Sequence, residues 1–180
     1  FANQMSAYVN LYHDEVNLKY AFDPLRNGAL VLADSYQNTA IRMGVNSDYT
    51  QKIYGSANIQ RGSFFNGTRE RFGAKLGHRF LPLLTLEANY EYNNIELENG
   101  DGRPLHLLGI STEVFFSNKL NWTTYLQYNQ QIDNFNINSR LQWEYKPLSF
   151  IYLVYTDNYS EELIQKNWAI SFKITRRLHF

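Results

Sequence analysis

The sequence lacks cysteine altogether, which excludes a disulfide framework, a thiolate nucleophile and a thiolate metal site. It has only four prolines and no apolar run of about 18 residues, the length that a membrane-spanning helix requires. The sequence also has no excess of positive or negative charge, because 17 Lys and Arg residues balance 17 Asp and Glu residues. We therefore expect no nucleic-acid partner, since nucleic-acid-binding domains carry a basic excess. The chain begins at Phe1 without Met or an apolar signal segment, so we expect a mature or truncated chain.

Aromatic residues are abundant by contrast, at 16% of the chain, with 14 Tyr and 12 Phe. The mean hydropathy is nevertheless −0.46, so the chain is polar on average. A β-sheet with one wet face and one apolar face has this composition. A membrane β-barrel is such an object, because its polar interior cancels its lipid-facing surface in the average.

The last stretch, Trp168 to Phe180, alternates strictly between two kinds of side chain. Apolar residues occupy every second position apart from Arg176, and small, polar or cationic residues occupy the others. This pattern predicts a long strand whose two faces lie in different environments. A terminal amphipathic strand that ends on Phe resembles the C-terminal signal of Gram-negative outer-membrane barrels, which the barrel-assembly machinery recognises. The residues of that signal would be Phe172, Ile174, Leu178 and Phe180; the alternative is the edge strand of a soluble sandwich.

The same alternation recurs along the whole chain and predicts about eleven strands. The predicted segments are 5–11, 15–22, 39–47, 52–61, 70–80, 84–93, 107–116, 120–129, 135–146, 149–156 and 168–180. Segment 149–156 is apolar at nearly every position, so its two faces cannot be told apart. We predict an all-β protein, a single domain over residues 1–180, folded as an antiparallel transmembrane up-and-down β-barrel.

The predicted connections alternate in length. SDYTQ, RFLPL, FSNK and KPLS are short, whereas DPLRNGALVLADS, GSFFNGT, ELENGDGRP, QQIDN and DNYSEELIQ are longer or more polar. Membrane barrels have short periplasmic turns and longer external loops, so this sorting favours a barrel over a soluble meander. Phe64 and Phe65 in GSFFNGT are predicted either to form a partner-binding tip or to fold over the barrel mouth.

The aromatic residues at the apolar positions of this alternation lie toward the ends of the predicted strands. The two interfaces of a bilayer favour aromatic side chains at these places. The predicted interface residues are Phe80, Tyr90, Tyr92, Phe116, Trp122, Tyr128, Trp143, Tyr145, Trp168 and Phe180. Aromatic residues of a sandwich core would gather at strand centres instead.

The charged residues that alternate with the apolar ones in the predicted strands would line the interior of the barrel. They are Arg42, Lys52, Arg71, Lys75, Arg79, Glu87, Glu91, Glu113, Arg140, Glu144, Lys173 and Arg177. They form either a channel lining that selects solutes or a cross-strand network of ion pairs that fills the interior. The mixture of signs favours the network.

An odd number of strands is unusual for a bacterial barrel, so we expect these to be the last strands of a larger one. An open sheet in lipid would leave unpaired backbone groups, and partner strands must then come from the same polypeptide or another chain. We expect the cell outer membrane as the location, and the lipid bilayer, transiently the assembly machinery, and other outer-membrane subunits as partners.

Catalysis and metal binding have little support in the sequence. None of the four His residues has another His at the spacing of a metal site, and we expect no cofactor. His106, Ser111 and Asn89 could be combined into a catalytic set, but His106 and Ser111 have opposite parity and would face opposite sides of the sheet.

Several longer segments resemble a known family. They are GSFFNGTRERFGAKLGHRF, LTLEANYEYNNIELENGDGRPLHLLG and LQYNQQIDNFNINSRLQWEYKPLSFIYLVYTDN, and NLKYAFDPLRNGALV and VNSD are also similar. Over residues 15–180 the chain resembles the C-terminal barrel of large outer-membrane proteins in which a carbohydrate-binding-like sandwich domain of the family-9 type precedes the barrel. The resemblance implies location and architecture only, because the barrel has no settled activity and the sandwich domain is not part of this chain.

Three functions follow from these expectations. The first is a non-enzymatic outer-membrane barrel, acting as a pore or as an anchor for an N-terminal domain. The second is a structural subunit of a larger outer-membrane assembly. The third is a barrel enzyme that acts on lipid or peptide.

Overall fold

The computed structural model describes residues 4–98, 100, 102–160 and 162–177. In this part of the chain, regular structure consists of ten strands and no helix: β1 Ser6–Asn17, β2 Ser35–Asn46, β3 Ile53–Phe64, β4 Gly67–Phe80, β5 Leu84–Leu97, β6 Arg103–Ser117, β7 Leu120–Asn129, β8 Asn134–Lys146, β9 Ser149–Ser160 and β10 Gln165–Thr175. None of the same residues belongs to a helix with the length and apolar character needed to cross a membrane.

The ten strands form one antiparallel sheet in which each strand pairs with its neighbour in sequence, in the order β1 to β10. The predicted all-β, antiparallel, up-and-down class is therefore confirmed. Within the described residues the order starts at β1 and ends at β10, so both are edge strands and the sheet is not closed into a barrel. The chain divides into two compact units, Phe1–Lys75 with Tyr90–Leu107, and Leu76–Asn89 with Leu108–Phe180, called unit 1 and unit 2 below.

The predicted strand number is wrong by one, because segment 5–11 and the start of segment 15–22 belong to the same strand, and the rest of the second segment lies in the connection after it. β1 pairs with β2 without interruption from Ser6 opposite Asn46 to Asn17 opposite Ser35. The apolar set changes face near the end of β1, from Val9 and Leu11 to Val16. The alternation predicts a break there. The strand continues instead, because Val16 lies opposite Tyr36, which packs against buried residues of the following connection.

The register within unit 1 places apolar residues opposite apolar residues and polar residues opposite polar ones. Val9 lies opposite Met43, and Met43 lies opposite Ile59, so an apolar row crosses β1, β2 and β3. One residue further along, Asn10, Arg42 and Gln60 form a polar row on the other face. We call these the apolar face and the polar face. Their separation confirms the alternation predicted for these strands.

Unit 2 has the same arrangement across its last four strands. Along the register, the apolar row consists of Trp122, Leu141, Leu153 and Phe172. The adjacent row on the polar face is Thr123, Arg140, Val154 and Ser171. The register also assigns the faces of segment 149–156, which its composition left open. Val154 is an apolar residue on the polar face, and this is why the alternation was hidden there.

Two connections depart from the predicted sorting by length. GSFFNGT is not a long loop, because β3 and β4 extend into it and leave only the turn Phe65–Asn66. The predicted tight turn SDYTQ lies within the longer connection 47–52. Asp48 shapes this connection by accepting hydrogen bonds from the backbone N–H of Thr50 (2.8 Å) and from the Thr50 hydroxyl (2.7 Å). The length rule therefore holds for most of the connections and fails for these two.

The hydrophobic core of unit 1 joins the connection between β1 and β2 to one end of the sheet. Leu25, Ala29 and Val31 of the connection between β1 and β2 are buried against Ile95 and Leu97 at the end of β5. The partly buried residues packed around them are Leu18, Tyr36, Phe64, Phe65 and Leu105. We call these ten residues the connection cluster.

Phe65 is the aromatic centre of the connection cluster. Its ring centroid lies 5.3 Å from that of Phe22, 5.3 Å from that of Tyr36 and 4.8 Å from that of Phe64, each pair at a steep interplanar angle. Edge-to-face pairs at these distances are favourable beyond the area they bury. The Phe65 backbone N–H also donates to Asn38 Oδ1 at 2.8 Å. The two phenylalanines therefore pack against the chain itself and do not project as a free tip.

We predict that Leu25→Ala loosens the connection between β1 and β2. Leu25 is fully buried, and truncation of such a residue to Ala costs about 2–5 kcal/mol. The exposed Arg26 next to it provides a trypsin site that is cleaved when the connection opens. We expect cleavage at Arg26 to accelerate by at least about tenfold. The matched control is Leu32→Ala in the same connection, where the side chain is 58% exposed. Equal cleavage rates in the two variants would contradict the packing described here.

Candidate functional site

The apolar face of unit 1 is exposed although its residues are large. Val9 is 66% exposed, Leu11 is 76% exposed and Ile59 is 56% exposed, and no described residue forms a second layer over them. Other exposed apolar residues of these strands are Ile41, Met43, Val45, Ile53 and Phe72. A groove of about 460 Å³ runs over this face, lined by Val9, Met43, Ile59 and Phe72 among others. Such a surface is far more apolar than the surface of a soluble protein.

The apolar face of unit 2 is equally uncovered. In β10 the residues Trp168, Ile170, Phe172 and Ile174 are each more than half exposed. Other exposed apolar residues are Leu76, Phe80, Leu86, Leu108, Ile110, Phe116, Trp122, Leu141, Trp143 and Leu153. Phe172 and Ile174 of the predicted assembly signal thus lie on the apolar face of an edge strand. Leu178 and Phe180 of that signal lie outside the described residues.

The aromatic residues predicted to lie at the membrane interfaces are found at different positions along the strands. Phe80, Phe116, Trp122, Trp143 and Tyr145 lie near the ends joined by the shorter connections, and Tyr128 and Trp168 lie near the opposite ends. Tyr90 lies at the middle of β5, with Tyr92 one apolar position further along. Phe180 is outside the described residues.

Tyr90 and Tyr92 contact a histidine on the apolar face. The Tyr90 hydroxyl and His106 Nδ1 are 2.7 Å apart, and the Tyr92 ring centroid lies 5.2 Å from that of His106. The Phe72 ring packs against Tyr90 as well, with centroids 6.3 Å apart. Because side chains alternate along β6, Ser111 lies on the other face from His106. His106, Ser111 and Asn89 therefore do not form a catalytic set, because His106 and Ser111 face opposite sides of the sheet.

The polar face of unit 1 carries one strong ion pair and several polar atoms without a protein partner. Arg71 Nη2 and Glu91 Oε2 are 2.7 Å apart, and both side chains are about one third exposed. The Asn58 amide nitrogen is 3.4 Å from the Gly73 carbonyl oxygen. Arg42 Nε, Asn58 Oδ1 and Arg71 Nε are buried without a hydrogen-bond partner. Buried polar atoms are costly unless they are hydrogen-bonded, so this face requires water or a polar ligand.

The polar face of unit 2 is built mainly from amides. Asn136 donates to Asn158 Oδ1 at 2.6 Å, and Asn158 donates to Asn167 Oδ1 at 2.6 Å, so one ladder of amides crosses β8, β9 and β10. Asn121 Oδ1 and Thr123 Oγ1 on the same face are buried without a partner. Both units thus present a hydrophilic surface opposite their apolar one.

Most of the charges predicted to line an interior have the strand parity of the polar face. Those within strands are Arg42, Arg71, Lys75, Arg79, Glu87, Glu91, Glu113, Arg140, Glu144 and Lys173. Lys52 lies in the connection before β3, and Arg177 follows the end of β10, so neither belongs to a strand. Glu144 has a local role in addition, because its Oε1 accepts the backbone N–H of Leu148 at 2.8 Å.

Asp157 is a polar site that the sequence analysis missed. It lies on the apolar face of β9, opposite Ile137 and Trp168, and has no exposed surface. Its carboxylate accepts hydrogen bonds from the hydroxyls of Tyr155 (2.5 Å) and Tyr159 (2.6 Å). Gln165 Nε2 lies 2.9 Å from the same oxygen. The signal was present as Tyr-x-Asp-x-Tyr, since residues two apart share a face of a strand.

Another carboxylate organises the connection between β1 and β2. Asp23 accepts backbone N–H groups of Leu25 (3.0 Å), Arg26 (2.7 Å) and Gly28 (2.7 Å). Gly28 has a φ of +89°, a conformation that favours glycine. These hydrogen bonds, the one from Gly28 above all, hold the pKa of Asp23 below its ordinary value of 3.8. In the next connection, the hydrogen bonds from Thr50 likewise hold the pKa of Asp48 below 3.8.

Metal ligands are not clustered in the described part of the chain, where no group of three or more His, Asp or Glu residues is placed to hold an ion. Comparisons with protein-family models, curated proteins and solved structures found no match. The family resemblance of the sequence therefore stays an expectation.

We predict that protection of the Asp23 loop falls in acid. Because its folded-state pKa is depressed, Asp23 stabilises the loop fully above pH 3.8, and this stabilisation is lost as the pH falls through the lower folded value. Amide hydrogen exchange over residues 21–31, corrected for intrinsic rates, should stay constant from about pH 6 to 4 and lose protection below that range.

Asp23→Asn should lower the protection at about pH 6 and flatten its dependence on pH. The control is Asp34→Asn in the same connection, whose carboxylate accepts only the neighbouring Ser35 N–H in the described structure. A wild-type profile that keeps full protection to pH 2 would contradict the assigned role of Asp23.

Proposed function

We propose that this chain is the membrane-spanning part of a β-barrel protein of the Gram-negative outer membrane, with a non-catalytic role as a pore or as an anchor for another domain. One observation carries the proposal: the large apolar residues of the strands are exposed on one face, while the opposite face is polar. A lipid bilayer on the first face and water on the second match this division.

The energetics support lipid as the cover of the apolar face. Moving one Val, Leu, Ile or Phe side chain out of water is worth roughly 1.5–3 kcal/mol, so the exposed rows of both units favour burial strongly. Strand length supports the same cover. A strand of 12 residues such as β1 is about 40 Å long, and a tilt of about 45° reduces this to about 28 Å, close to the hydrocarbon thickness of a bilayer.

The two edge strands support closure of the sheet by further strands. In lipid an unpaired backbone N–H or C=O group costs several kcal/mol, so a sheet that ends at β1 and β10 requires partners at both edges. These strands belong to the same polypeptide or to another outer-membrane subunit, and the second case would make the chain a structural member of an assembly. Phe172 and Ile174, exposed on the β10 edge, are the residues we assign to recognition by the assembly machinery.

Insertion is tested by quenching of tryptophan fluorescence in vesicles of brominated phospholipids. All three tryptophans, Trp122, Trp143 and Trp168, lie on the apolar face and are 44–59% exposed. We expect strong quenching of each single-tryptophan variant, with bromine near the headgroups more effective than bromine near the acyl-chain ends, because the three residues lie toward strand ends.

The matched control places a single Trp at Gln127 on the polar face of β7, with Trp122, Trp143 and Trp168 replaced by Phe. This variant should be quenched several-fold less than the native positions. Equal quenching on both faces, or a monomer that stays soluble in buffer without detergent, would contradict the proposal.

Conductance in a planar bilayer separates the two roles. A hydrated interior lined by polar side chains predicts stepwise single-channel conductance of the chain together with its partner strands. Silence from protein whose insertion is shown by tryptophan quenching would exclude the pore and leave the anchor. Stable co-purification with other outer-membrane subunits would identify the assembly role.

A further inference from the structure

A cavity of about 370 Å³ lies on the polar face of unit 1, beside the connection cluster. Each of β1 to β4 contributes to its wall, with Asp14 from β1, Arg42 from β2, Gln60 from β3 and Arg69 from β4. Its volume is in the range of small-molecule sites, at the lower end, where a ligand the size of one sugar ring fits.

Two arginines in this wall have no carboxylate partner. Among the described residues no acidic oxygen lies within ion-pair distance of Arg42 or Arg69, whereas Arg71 is paired with Glu91 and Arg61 with Glu70. Arg42 Nε is moreover buried without any hydrogen-bond partner. Asp14 and Glu91 attract Arg69 through space but form no ion pair with it. The N–H groups of the guanidinium therefore keep donor capacity, and a bidentate anion is a good partner for them.

Aromatic rings hold both arginines in place. The guanidinium carbon of Arg69 lies 5.0 Å from the Phe64 ring centroid, and that of Arg42 lies 6.0 Å from the Tyr8 ring centroid. Phe64 is itself fixed by its contact with Phe65. Arginines stacked on rings lose less conformational freedom when they bind a ligand, so they are prepared for an anion before it arrives.

The other polar groups of the cavity wall favour a ligand that carries hydroxyl groups as well as a negative charge. Asp14 accepts one hydrogen bond, from Asn38 at 3.2 Å, and has further acceptor capacity. The Gln60 amide, beside Arg42 in the polar row, makes no hydrogen bond with a described residue. A carboxylate that faces the same cavity as two arginines suits a ligand that also carries hydroxyl donors. The aromatic side chains of Tyr12 and Phe64 supply apolar surface for the body of such a ligand.

We propose that this cavity binds a polyhydroxylated organic anion of about monosaccharide size. Arg42 and Arg69 hold its carboxylate or phosphate group, and Asp14 and Gln60 hold its hydroxyls. The inference goes beyond the membrane role and does not rest on it, because the cavity lies on the polar face. Loss of ligand binding would leave insertion untouched, and failure of insertion would leave the cavity in place.

The test is isothermal titration calorimetry of the full chain in detergent micelles. The probes are glucuronate, glucose 6-phosphate, neutral glucose and inorganic phosphate. We expect saturable one-to-one binding of at least one of the two sugar anions, and the comparison between them distinguishes a carboxylate from a phosphate. Glucose should bind at least tenfold more weakly, because it offers the arginines no charge.

Arg42→Gln and Arg69→Gln should each weaken binding of the sugar anion by at least tenfold. Arg61→Gln is the matched control, since Arg61 lies on the opposite face of β3 and should leave binding unchanged. Asp14→Asn should weaken the sugar anion but not inorganic phosphate. Where a Gln variant fails to fold, Arg69→Lys keeps the charge, loses the bidentate geometry and should still reduce affinity.

Three results would overturn the proposal. The first is the absence of saturable binding by both sugar anions to folded protein. The second is unchanged affinity in both Arg42→Gln and Arg69→Gln. The third is binding of glucose or of inorganic phosphate as tight as that of the sugar anions, because the arginines or the hydroxyl-binding groups would then contribute nothing.

Discussion

The two-residue period of a β-strand is the constraint on which the rest of this structure depends. Each strand turns one set of side chains to each side of the sheet, and the backbone ladder is satisfied by the neighbouring strands. The chain fills one side with apolar residues and the other with amides, hydroxyls and charges. The buried apolar residues of unit 1 gather at one end of the sheet, where the connection between β1 and β2 packs against Ile95 and Leu97 of β5.

The faces of the strands could be predicted from the sequence wherever apolar and polar residues alternate cleanly. Trp122, Leu141 and Phe172 lie in one apolar row as their parity predicts. Parity depends only on neighbouring residues, so it needs no knowledge of the fold. Where it is blurred, as in segment 149–156, only the register with β8 and β10 assigns the faces. The alternation fails at the end of β1 for a related reason. Val16 is an apolar residue at a position of the polar face, and its neighbour Tyr36 packs against residues outside the strand.

The cavity and the Asp157 site could not be predicted in the same way, because they depend on residues far apart in the sequence. Arg42 and Gln60 become neighbours through the register of β2 and β3, and Arg69 joins them from β4. Arg69 was not among the charges predicted for the polar face, although its parity puts it there. Asp157 breaks the rule that charge avoids the apolar face. Three donors around the carboxylate compensate for its burial, and Gln165 comes from the next strand.

The connection cluster has a consequence for the order in which unit 1 can assemble. Every strand pairs with its neighbour in sequence, so a sheet of this kind can grow one hairpin at a time, with little loop-closure entropy at each step. The cluster is the exception in contact order, since Leu25 and Ile95 lie about seventy positions apart. Its contacts can exist only once the chain has extended through β5. Until then the connection between β1 and β2 has only its nearer apolar partners, such as Phe65, and the burial of Leu25 and Val31 against β5 is completed late.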